Sequence, residues 1–81
     1  MALHDTPTNQ VNILRVLESG SQPTGARVIA RRLHAYGTDL TETTVRYHLR
    51  MLDERGLTRL VNRRDGRDIT ARGSVELNEI A

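Results

Sequence analysis

The chain has 81 residues, 37% of them hydrophobic and 27% charged, which suffices for one small core and is too short for two domains. Cys, Phe and Trp are absent, so disulfides, thiolate metal sites and a Cys nucleophile are excluded and aliphatic side chains must carry the packing. All twelve basic residues are Arg, and the net charge of +2 hides an uneven spread: residues 1–45 balance, residues 46–72 carry eight Arg against four acids, and residues 73–81 hold two Glu and no base.

A basic stretch in which every cation is a planar fork suits a polyanion. No apolar run exceeds three residues and no signal-peptide pattern opens the chain, so no membrane association and a cytoplasmic location are expected.

The first periodic segment predicts a helix near residues 8–19, with Val11, Leu14 and Leu17 at helical spacing. Pro7 suits its first turn, Thr6 or Thr8 can cap it, and Gly20 can close it in the left-handed conformation. Ser21-Gln22-Pro23 is a short extended link. Thr24 can then cap a helix over 24–36, in which Ala26, Ile29, Ala30 and Leu33 make one apolar face and Gly37 ends the pattern.

A third helix is expected over 41–55. Thr41 stands at its N-cap, and Leu40 and Val45 stand at staple positions. Val45, Leu49 and Leu52 form its buried stripe, while Thr43, Arg46, Tyr47 and Arg50 fall on the opposite face. Gly56 stops the helix, and Leu57 can fold back over the last turn.

The period then changes. Residues 57–70 read as a charged hairpin around Asp65-Gly66, and Thr70 can cap a final helix from Ala71 or Arg72 with Val75, Leu77 and Ile80 as its apolar residues. Leu14, Leu17, Ile29, Leu33, Val45, Leu49, Leu52 and Leu60 are the expected core. The order implies a mainly α fold with a small β hairpin, a winged helix-turn-helix. Residues 1–7 are expected as a flexible tail and 8–81 as the domain.

In such a fold the third helix reads the DNA major groove. Its exposed Thr43, Thr44, Arg46, Tyr47 and Arg50 are the candidate contacts, since Arg can grip guanine or phosphate and Tyr can meet phosphate or a thymine methyl. Arg63, Arg64 and Arg67 at the hairpin tip are candidate phosphate contacts. The plainer alternatives are a solvated helix face and charges that keep a small sheet edge from aggregating. Arg31, Arg32 and His34 on the second helix fit backbone contact and simple solvation equally.

His4, His34 and His48 lack metal-ligand spacing, and His48 reads as a partly buried structural residue. With no phosphate loop and no Ser beside an identifiable base, no catalytic residue, metal or cofactor is assigned.

The run Thr44-Val45-Arg46-Tyr47-His48-Leu49-Arg50-Met51-Leu52-Asp53-Glu54-Arg55-Gly56-Leu57 resembles the recognition-helix signature of prokaryotic winged-helix regulators. Together with Gly25–Leu33 and Ile69-Thr70-Ala71-Arg72-Gly73, it is similar to the ribonuclease R winged-helix domain family, found also at the N-terminus of NrpR-type nitrogen-regulatory repressors. The resemblance covers residues 10–80. It implies a DNA-binding domain at the start of a longer repressor, homodimeric when complete, with any metabolite effector acting through a C-terminal region not in this chain. An RNA-binding accessory module of an exoribonuclease and a protein–protein interaction module remain as alternatives. Only Tyr36 and Tyr47 offer stacking rings for single-stranded RNA.

Overall fold

Three short amphipathic helices can bury their apolar stripes only against one another, and a hairpin and a fourth helix close the remaining side. The structure, a computed structural model, describes residues 6–80. Its order is α1 (Thr8–Ser19), α2 (Ala26–Arg32) running on into a 3-10 turn (Leu33–Tyr36), α3 (Glu42–Glu54), β1 (Thr58–Asn62), β2 (Gly66–Ile69) and α4 (Ala71–Ile80). His4 and most of the expected tail lie outside the described residues.

The core is aliphatic. Ile13, Leu14, Val16 and Leu17 of α1 meet Ile29 and Leu33 from α2 and its extension, Val45, Leu49 and Leu52 of α3, and Leu57. Seven of the eight expected core residues are buried. Leu60 is the exception, 48% exposed. The reason is the turn after α3. Gly56 takes the left-handed conformation (φ 76°), Gly56 N donates to Asp53 O and Leu57 N to Leu52 O, and this reversal turns Leu57 inward. The hairpin then leaves the core after buried Thr58, so Leu60 pairs with Arg67 beyond its edge.

Other local expectations are corrected. Pro7 is the residue before α1, and Gly20 is extended (φ −87°) rather than left-handed. Thr24 does not cap α2, which starts after Gly25 without a side-chain cap. Thr24 instead exchanges two backbone hydrogen bonds with Arg67, at 2.8 and 2.9 Å, so it becomes a third, one-residue strand against the wing. The hairpin turn is Arg63–Asp65, with Asn62 opposite Gly66 and a register shift; Asn62 Oδ1 accepts from Asp65 N at 2.7 Å. Val75 is 57% exposed because α4 packs through Gly73, Leu77 and Ile80, one face of the helix, with Val75 on the other.

Thr41 and Thr70 cap as expected. Thr44 N donates to Thr41 Oγ1 at 3.1 Å, and Gly73 N to Thr70 Oγ1 at 3.0 Å. Thr6 is buried and joins the two ends of the domain. Its hydroxyl donates to Glu76 Oε2 at 2.7 Å and accepts from Arg55, which also pairs with Glu76 at 3.0 Å. The Thr6 hydrogen bond and the Arg55 guanidinium together hold the Glu76 carboxyl below the usual glutamate value, against partial burial that pushes it up.

Candidate nucleic-acid interface

The two faces of α3 are sharply divided. Val45, Leu49 and Leu52 are fully buried, which fixes the rotation of the helix, while Thr43, Arg46, Tyr47 and Arg50 are exposed on the other side. Tyr47 is 62% exposed, held edge-on against the His48 ring at 5.6 Å. His48 is half-buried, and the amide of buried Gln10 on α1 reaches its Nδ1 at 3.2 Å and Met51 Sδ at 3.7 Å. Gln10 therefore ties α1 to the middle of α3. Asn12 of α1 also donates to Thr38 Oγ1 at 2.7 Å, securing the turn that leads into α3.

The charged groups on this face differ in their commitments. Arg46 pairs with Glu42 one turn earlier on α3. Arg50 enters no ion pair among the described residues. Thr44 is half-buried and its hydroxyl accepts from Thr41, so it belongs to the cap more than to the open face.

The wing splits its three arginines. Arg63 and Arg64 are exposed on the turn, and Arg64 meets Asp65 only loosely, at 3.9 Å. Arg67 does not project with them. Its Nε donates to Asp53 Oδ2 at 2.9 Å and its NH2 lies 2.8 Å from the same oxygen. Thr58 Oγ1 donates to Asp53 Oδ1 at 2.6 Å. One carboxylate near the end of α3 thus holds both wing strands.

Sequence reasoning missed three contributors: Glu42, Asp53 and Thr24. The Glu42–Arg46 spacing was itself a signal of pairing. An acid in the last turn of a helix, where the dipole disfavours negative charge, was a signal that Asp53 has a partner elsewhere. Nothing local marked Thr24 as a bridge to Arg67.

The arrangement offers a cationic, hydroxyl-bearing helix face and a cationic turn. Among the described residues no helix is long and apolar enough to cross a membrane. The family model for the ribonuclease R winged-helix domain matches residues 11–77. The global nitrogen regulator NrpRI of Methanosarcina mazei is 46% identical over 69 residues, covering 85% of this chain and 21% of that protein. The global nitrogen regulator NrpR of Methanococcus maripaludis is 45% identical over 69 residues, 85% of this chain and 13% of that protein. NrpR of Methanocaldococcus jannaschii is 40% identical over 75 residues, 93% of this chain and 14% of that protein. The chain thus spans between 13% and 21% of the length of these curated relatives. No solved structure matches it. With its three helices, wing and fourth helix in place and most of its length matched, the chain belongs to the ribonuclease R winged-helix domain family.

Proposed function

We propose that this domain is the DNA-binding module of a transcription regulator, with α3 reading bases in the major groove and the wing gripping the flanking backbone. One observation carries the reading: the exposed face of α3 presents Thr43, Arg46, Tyr47 and Arg50 together, on a helix whose opposite face is locked into the core. Arg50 is uncommitted, and Arg46 can exchange Glu42 for a guanine edge or a phosphate. Arg63 and Arg64 are the phosphate contacts of the wing. Arg67 acts as their support, through Asp53. The names of the relatives, all global nitrogen regulators, support a regulatory setting. In the complete protein two copies would read half-sites about 34 Å or a multiple apart, and a metabolite would act through other regions.

The test is selection from a random duplex library at low salt, with the domain dimerised artificially, alongside binding to single-stranded RNA. An enriched duplex sequence is expected. Preferential binding to single-stranded RNA, or no enrichment, would overturn the reading.

A further inference from the structure

Away from the α3 face, a cleft of about 700 Å³ opens between the α1–α2 connection and the wing turn. Residues 19–25 form one wall, α2 contributes Arg27 and Arg32, and the wing contributes Arg64 and Asp65. The paired backbone hydrogen bonds between Thr24 and Arg67 fix β2, just past the wing turn, to the entry of α2. The cleft is therefore built into the folded frame.

Its lining carries three arginines, Arg27, Arg32 and Arg64, against one acid, Asp65. Neither Arg27 nor Arg32 enters an ion pair among the described residues, whereas Arg55 and Arg67 find carboxylates at 3.0 and 2.8 Å. The loose Arg64–Asp65 contact, with the Arg64 side chain 92% exposed, leaves that guanidinium free to turn. Three guanidiniums against one carboxylate leave a net positive field in the hollow, which a bound anion relieves. The space beside Gly25 is open, since a Cβ at that position would meet nothing within 4 Å. The Ser21 hydroxyl and Gln22 amide add neutral donors on the same wall.

We infer that this cleft is a phosphate seat, in which Arg27 and Arg32 from one side and Arg64 from the other hold the non-bridging oxygens of a phosphate group. A phosphate arranges its acceptor oxygens tetrahedrally, with two non-bridging in a phosphodiester and three in a terminal phosphate, so planar forks can reach it from different directions, where a carboxylate holds its two oxygens in one plane. The phosphate belongs to a nucleic-acid backbone or to a free phosphate compound. Only the first source rests on the function proposed above.

The experiment has two arms. In the first, inorganic phosphate is titrated at constant ionic strength while the arginine Nε–Hε signals are followed by NMR. Saturable shifts are expected at Arg27, Arg32 and Arg64, with Arg15 and Arg72 unmoved, and are expected to vanish in Arg27→Gln/Arg32→Gln. Both substituted side chains are exposed, so the thermal midpoint of that variant should match wild type. Absence of saturation, or a common drift of all arginine signals, overturns the seat.

In the second arm, random-sequence duplex is bound across a salt series. A fall of about 0.9 in the log-affinity versus log-salt slope for each lost contact assigns the seat to the nucleic-acid backbone. An unchanged slope beside a saturable phosphate response supports the seat and assigns it to a free phosphate compound. The base preference carried by Arg46 and Arg50 is measured separately, so failure of either claim is visible by itself.

Discussion

Single residues decide where the elements meet. A Cβ at Gly73 would lie 2.1 Å from Leu57 O, and one at Gly66 would lie 2.4 Å from Thr24 O on a backbone with φ +94°. Neither neighbour is a flexible side-chain end. Gly73→Ala and Gly66→Ala should each lose about 1–3 kcal/mol or more, read from urea unfolding midpoints. Gly25→Ala, with open space around it, should not suffer such a clash. Leu49→Ala should lose about 2–5 kcal/mol, while Leu60→Ala, exposed beyond the core, should stay within about 0.5 kcal/mol of wild type. Glu76 sets a pH dependence. Its carboxyl is held below the ordinary value in the folded state, so its contribution is present above the unfolded value near 4.5 and is lost as pH falls through the folded value. The stability difference between wild type and Glu76→Gln should therefore be largest near neutral pH and shrink below about pH 4.5. Gly66 was legible in the sequence as part of a turn. Its second constraint was not, because Thr24 sits far away along the chain and only the folded bridge brings the two together.

Among the elements, the three helices were legible because each carries an apolar stripe and a closing glycine, and in two of the three that glycine is left-handed, at Gly37 and Gly56. Gly20 shows the limit of that rule: where the next segment runs straight into an extended link, the chain has no reversal to make. The wing was legible as a hairpin, but its attachment was not. Asp53 accepts from Thr58 on β1 and Arg67 on β2 while belonging to α3, and these partners come from different segments. This is why Arg67 reads in sequence as one of three tip cations and stands in the structure as a strut. Asp53→Asn weakens charge-assisted bonds of a half-buried pair, at a cost of about 1–3 kcal/mol. Hydrogen exchange at the amides of β1 and β2 should quicken in this variant, with α1 protected as before. Unchanged wing protection would show that Asp53 does not hold the wing. Glu42→Gln should raise affinity for any duplex by freeing Arg46, and no gain would place Arg46 away from the bound strand.

For the whole molecule, the basic segment 46–72 sorts into two groups once folded. Arg46, Arg55, Arg64 and Arg67 meet carboxylates, whereas Arg50, Arg59, Arg63 and Arg72 enter no ion pair among the described residues. Net charge along the sequence marks the basic segment; only the fold shows that Arg55 and Arg67 are struts within the domain, while Arg50 and Arg63 are left without a carboxylate partner among the described residues. The central claim is a division of labour, with α3 reading bases and the wing holding the backbone. It is tested most directly on the selected duplex, by comparing Arg46→Ala and Arg50→Ala with Arg63→Ala and Arg64→Ala on that site and on a scrambled one across a salt series. The α3 variants should lose about 1–3 kcal/mol on the selected site and flatten preference between the two. The wing variants should weaken both duplexes equally and lower the salt slope by about 0.9 for each lost contact. Equal losses on both duplexes from the α3 variants, with preference intact, would contradict the account.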